Sequence, residues 1–222
     1  MEIREEITKA IEQGKIFQTR DLVQQALAEG IGPGEILNGP LMQGMKAVGR
    51  RFSRGGGMVS DTLASTKAIN ESLELLKPLL VPAGREPIGR ACIGTVQGDL
   101  HDIGKNIVRL LLENRGIEIV DLGVDVAPEA FVRAVTEDGC ELVCCSALLS
   151  STMQEMKRVI DALKRAGVRD RVLVMVGGLP VTERFCRRIG ADIYTTDGFE
   201  AAEKAERALL ELRNARRAVG LL

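Results

Sequence analysis

Apolar residues recur at helical spacing through the first eighty positions. Ile3, Ile7, Ala10 and Ile11 share one face, and Leu22, Val23, Ala26 and Leu27 share another. A third helix opens near Pro33, a favourable first-turn proline, and carries Leu37, Leu41, Met42, Met45, Val48 and Phe52. After the break RGGGM, Ser60 or Asp61 can cap a fourth helix bearing Leu63, Ile69, Leu73 and Leu76. Four amphipathic helices joined by short turns predict an antiparallel bundle over residues 1–80.

Pro78, Pro82, Gly84 and Pro87 then punctuate KPLLVPAGREPIG, and residues 81–89 read as an interdomain linker. Over residues 90–222 the rhythm changes. Five short apolar runs, RACIGTV, IEIVDL, ELVCCSAL, RVLVMVGG and ADIYTT, alternate with helical stretches. This alternation predicts an α/β domain with a doubly wound parallel sheet covered on both faces. Such a sheet binds its ligand beyond the carboxyl ends of the strands. GDLHDIG follows the first strand, SALLSST the third, GGLPVT the fourth and TDGFE the fifth. All four polar, small-residue loops therefore share one rim.

Composition narrows the class. Acidic and basic residues number 31 and 30, so no basic excess suggests nucleic acid, and one Tyr and five Phe leave little for base stacking. The charged start MEIREEITKA is not a signal peptide, and no apolar run reaches the ~18 residues of a membrane span. Cys92, Cys140, Cys144, Cys145 and Cys186 read as reduced packing residues with no zinc spacing. The expectation is a cytoplasmic protein without nucleic-acid or membrane partners.

The chain has a single histidine, His101, on the first rim loop. It could be a general base, a metal ligand or a structural residue. No G-x-S-x-G elbow, G-x-x-x-x-G-K-[ST] phosphate loop or G-x-G-x-x-G after the first strand competes for the rim. Asp99, two residues earlier, can reach the far ring nitrogen, a pairing that fixes the tautomer and raises ring basicity. Gly98 and Gly104 let a bulky ligand approach the backbone. One protein ligand holds a bare ion poorly, so a metal here should arrive in a macrocycle that supplies the rest.

Asp99-x-His101-x-x-Gly104, then Ser146-x-Leu148, then Gly177-Gly178, resembles the three-part signature of cobalamin-binding domains. The similarity is closest to cobalamin-dependent methionine synthase and the small corrinoid proteins of methyltransferase systems. GPLMQGMKAVGRRF looks like that family's helical cap, and HDIGKNIV with VDLG like its corrinoid domain. The resemblance implies a four-helix bundle cap before a flavodoxin-like (Rossmann-type) five-stranded sheet. It implies cobalamin, as methylcobalamin or a related corrinoid, bound base-off with His101 as lower axial cobalt ligand and Asp99 coupling ligation to proton uptake. Ser146 would hydrogen-bond the buried nucleotide base and Leu148 pack on it; Gly177, Gly178 and Gly198 would clear room for the tail. Gly98, Asp99, Leu100, Asp102 and Ser150 would also touch the cofactor. Thr152 stands where the methionine synthase pattern has a relay serine, and its hydroxyl could serve. Phe52, Met58 and Val59 would cover the upper corrin face, although SRGGGMVSD departs from the larger apolar residue and proline usual there.

The function so implied is methyl carriage between a substrate-specific methyltransferase and a second one acting on tetrahydrofolate or coenzyme M, with a reductive-activation protein as a further partner. Candidate donors are methylamines, quaternary amines, methanol and methoxylated aromatics. No donor or acceptor site is legible, so the chain reads as a methyl-carrying subunit rather than a complete enzyme. A mutase subunit would pair its corrinoid domain with a substrate barrel, and a cobalamin-based regulator would need an output module. A generic flavodoxin-like module leaves Asp99, His101 and Gly104 unexplained.

Overall fold

In the computed structural model, which describes residues 2–53, 59–80 and 87–218, the chain divides into two compact units, Met1–Leu80 and Val81–Leu222. The first is helical: α1 (Ile3–Glu12), α2 (Ile16–Ala28), α3 (Pro33–Ile36), a π-helical turn (Leu37–Leu41), α4 (Met42–Ser53) and α5 (Val59–Leu80). Ile7, Ile11, Val23, Ala26, Leu41, Val48, Ile69 and Leu76 are buried, as their spacing predicts.

Three local details depart from the pattern. The helix from Pro33 widens into the π turn around Pro40, which has no N–H to donate and whose ring would strike the carbonyl of Ile36 in an α-helix. The fourth helix starts at Val59, so Ser60 and Asp61 lie inside its first turn instead of ahead of it. Pro78 does not end that helix, which runs on to Leu80. A proline this near the C-terminus removes only one hydrogen bond, and the buried Leu76 and Leu80 keep the last turns packed.

The second unit holds β1 (Gly89–Val96), α6 (Ile103–Asn114), β2 (Ile117–Val126), α7 (Pro128–Thr136), β3 (Leu142–Ser146), α8 (Glu155–Arg165), β4 (Leu173–Gly177), α9 (Glu183–Ile189), β5 (Ile193–Thr195) and α10 (Gly198–Ala218). The five strands expected from the sequence all form, parallel, in the order β2-β1-β3-β4-β5. Central strands β1, β3 and β4 are buried on both faces, which explains their near-continuous apolar runs. The five cysteines are all buried as free thiols. No helix among the described residues is long and apolar enough to cross a membrane. The order places the switch point between β1 and β3, where the chain leaves the sheet in opposite directions and opens a crevice.

One ion pair steadies the start of α6. Lys105, almost wholly buried, sets Nζ 2.7 and 2.8 Å from the two carboxyl oxygens of Asp121 on β2. Partial burial pushes the Asp121 carboxyl up. Hydrogen bonds from Lys105 and the Gly123 N–H, with the charges of Lys105 and Arg109, outweigh that and hold it below its ordinary value. A carboxyl depressed in the folded state contributes stability that is present above the unfolded value, about 3.9, and is lost as pH falls through the folded one. Asp121→Asn is expected to cost about 1–3 kcal/mol at neutral pH, less than for a sealed pair because Asp121 reaches solvent. Urea unfolding of both proteins should show that gap narrowing below about pH 4. A gap independent of pH would mean the pair contributes nothing through its charge.

Candidate functional site

The loop between β1 and α6 carries the histidine and is tied down on three sides. Its first turn closes with the Asp99 N–H donating to the Val96 carbonyl at 3.1 Å, and Gly98 takes φ +79 as the third turn position requires. Thr95, at the buried end of β1, donates its hydroxyl to the His101 carbonyl at 2.8 Å. The third tie is the Asp99 side chain.

Asp99 is fully buried and meets five donors. Oδ1 accepts from the His101 N–H at 3.1 Å and lies 2.6 Å from His101 Nδ1. Oδ2 accepts from the Leu148 N–H at 2.8 Å, the Leu149 N–H at 3.3 Å and the Thr152 hydroxyl at 2.6 Å. Burial alone would push this carboxyl up. The hydrogen bonds from Thr152, His101 and Leu148 win and hold it far below the ordinary carboxylate range. An ionised carboxylate only accepts, so Nδ1 of His101 must carry a proton, and in the neutral ring Nε2 presents the lone pair. The His101 side chain is half exposed, and nothing among the described residues pairs with Nε2.

The sheet order brings the second and third sequence elements to this loop. Ser146 ends β3, half-buried, in register with Thr95 on one side and Gly177 on the other. Leu148 and Ser150 stand exposed in the following turn, whereas Thr152 is buried against Asp99. Neither serine caps a helix: α8 starts only at Glu155, and its first turn has no side-chain cap. Gly178 has φ +127, and a Cβ there would fall 1.9 Å from the Ala147 carbonyl oxygen. Leu100 and Leu179 are 71% and 85% exposed on the same rim. Asp102 precedes α6 and accepts from Asn106 at 3.2 Å, and Gly104, in its first turn, has nothing within 4 Å of an added Cβ. Gly198 opens α10, where an added Cβ would meet Leu111 and Ile107 of α6. Met58 and the side chains of Phe52 and Val59 lie outside the described residues.

Sequence reasoning missed Thr95, the Leu149 N–H and Asp125, whose carboxylate accepts from the Gly98 N–H at 2.7 Å. Thr95 is polar inside an apolar run, a signal that was readable. The other two act through backbone and across the fold. No group of three or more metal-ligating side chains gathers among the described residues. The arrangement is one half-exposed imidazole, its Nδ1 held by a buried carboxylate, on the loop that follows the central strand β1.

Two family descriptions, both worded B12 binding domain, match the chain, one over residues 89–205 and the other over residues 3–77. Trimethylamine corrinoid protein 1 of Methanosarcina acetivorans is 37% identical over 192 residues, 86% of this chain and 89% of that protein. The solved monomethylamine corrinoid protein of Methanosarcina barkeri superposes with a TM-score of 0.86 at 35% identity, covering 95% of this chain and 98% of that one. The methanol:cobalamin methyltransferase complex MtaBC from Methanosarcina barkeri matches with a TM-score of 0.54 at 30% identity, over 94% of this chain and 80% of that one.

Proposed function

Because the chain belongs to the B12-binding corrinoid proteins of methyltransferase systems, with a corrinoid as its cofactor, we propose that it carries a methyl group on a corrinoid ligated by His101. The reading adds base-off binding, a methylated amine as donor, and a second methyltransferase that passes the group to tetrahydrofolate or coenzyme M. The names of the trimethylamine and monomethylamine relatives support the donor class. One observation carries the ligation: the His101 side chain is half exposed and no described residue pairs with Nε2, while Asp99 holds the other ring nitrogen.

The rim suits a broad, largely apolar ligand. Leu100, Leu148, Leu149 and Leu179 are exposed around it, an unusual concentration for a water-facing surface. The open space at Gly104 lets such a ligand come down onto the backbone at the start of α6. The bound corrinoid supplies a cobalt that accepts and gives up the methyl group.

The protein's part is ligation and proton control. Asp99 fixes the ring so that Nε2 offers its lone pair along one direction, and hydrogen bonds from Thr152, Leu148 and Leu149 keep the carboxylate from turning. Asp99, saturated with donors, stays ionised and holds the proton on Nδ1, which leaves Nε2 as the ring nitrogen for the metal. Ser146 and Gly177, side by side at the ends of β3 and β4, would line the groove for the nucleotide tail, with Thr195 beyond them.

The test of ligation is electron paramagnetic resonance of the Co(II) form. Imidazole nitrogen splitting is expected, and an unsplit signal would refute the axial assignment. The tail groove has its own test. Ser146→Leu should weaken full cobalamin by about 1–3 kcal/mol beyond any loss for cobinamide, which lacks the nucleotide. Equal losses for both ligands would move the tail elsewhere.

A further inference from the structure

The edge strand β2 holds the histidine loop in a way the ligation scheme does not use. Its register against β1 slips twice: Ile93 faces Asp121, Gly94 faces Gly123 and Val96 faces Val126. The second slip sets three steps of β2 against two of β1. Extra residues of this kind re-aim a strand end, and they cluster beside functional sites. Here the slip leaves Asp125 at φ +53, the one non-glycine residue with positive φ among the described residues.

From that position Asp125 grips the loop twice. Its N–H donates to the Asp99 carbonyl at 3.0 Å, and its Oδ1 accepts from the Gly98 N–H at 2.7 Å. The two contacts bracket the backbone that carries the Asp99 side chain, and Asp99 in turn sets the His101 ring. Aspartate is one of the few side chains that tolerates the left-handed region, so one residue supplies both the backbone conformation and the acceptor. The side chain is exposed, so burial gives no other reason for it.

We infer that Asp125 is a positioning residue for His101: by pinning Gly98 and Asp99 it sets the direction in which the imidazole meets its metal. The inference rests on His101 being the axial ligand. It makes β2, which offers no group to the cofactor in the scheme above, a determinant of how firmly the histidine stays on.

Two substitutions separate the acceptor from the backbone angle. Asp125→Gly keeps the positive φ and the N–H but removes the acceptor, and at an exposed position it should leave the fold intact. Asp125→Asn keeps an acceptor oxygen and tolerates the same φ. Each is loaded with cobalamin, reduced to Co(II), and read for the ratio of nitrogen-split to unsplit signal, with thermal melting measured alongside. D125G should lower that ratio about tenfold, the lower end of what losing an outer partner of a metal-bound histidine costs. D125N should restore most of it. The ring signals of the sole histidine, followed by NMR in the cofactor-free protein, should broaden in D125G alone. A D125G ratio equal to wild type, or a loss shared equally by D125N, overturns the inference. An unsplit signal in the wild-type protein overturns the axial reading itself, and this inference with it.

Discussion

His101→Ala should bind cobalamin without any imidazole nitrogen splitting in its Co(II) spectrum, and at least tenfold more weakly than wild type. The floor comes from outer partners: losing a group that merely orients a ligating histidine typically costs about 10–100-fold, and losing the ligand itself should cost no less. The fold should survive, because the side chain is half exposed and its ring makes one hydrogen bond among the described residues, to Asp99. Asp99 would keep its Thr152, Leu148 and Leu149 donors. Added imidazole should restore part of the splitting by occupying the vacated direction. Asp99→Asn should fall between the two proteins, since an amide in that position no longer requires the proton on Nδ1. Equal cobalamin affinity for His101→Ala and wild type would show that the rim, not the histidine, holds the cofactor.

Gly178→Ala should be the most damaging single methyl in the second unit, and the damage should appear without any cofactor. The added Cβ would lie 1.9 Å from the Ala147 carbonyl oxygen and 2.9 Å from its carbon, backbone atoms that cannot rotate away. The residue would also have to hold φ +127. Strain and overpacking together suggest about 2–5 kcal/mol, a large share of a typical domain's stability. Any relief must push the chain at Ala147, which leads directly into the Leu148 and Leu149 amides that hold Asp99. Cofactor affinity should therefore fall with stability. Gly104→Ala is the counterpart: nothing lies within 4 Å of the added atom, and in a helix alanine gains up to about 1 kcal/mol over glycine. That variant should be as stable as wild type or slightly more so in the empty protein, yet bind cobalamin more weakly if the ligand descends there. Urea unfolding of the empty proteins and cobalamin titration of both variants give the comparison. A Gly178→Ala protein as stable as wild type would show that the β3 and β4 loops are not in this close contact.

The two glycines show how differently sequence and structure speak. Gly177-Gly178 and Gly104 belong to one signature, and from sequence all of them read as clearance for a ligand. In the fold, Gly178 is required by the neighbouring loop, while Gly104 faces open space. Motif spacing places a residue on the rim but does not say what it faces there.

By itself the sequence determined the elements. Burial is decided largely by local periodicity, so the bundle helices and all five strands were legible from apolar spacing, as was the rim that gathers the loops. It also determined the Asp99–His101 pair, because two residues separated by one position in a turn have few ways to miss each other. Only the tertiary structure decided what makes that pair rigid. Three of the five donors to Asp99 come from residues 49 to 53 positions downstream, delivered because β3 lies beside β1. The grip of Asp125 depends on a register slip between strands that no single strand encodes. Hydrophobic pattern is a property of each segment and survives in one dimension. Hydrogen-bond saturation and strand register belong to pairs of segments and exist only once the sheet has closed.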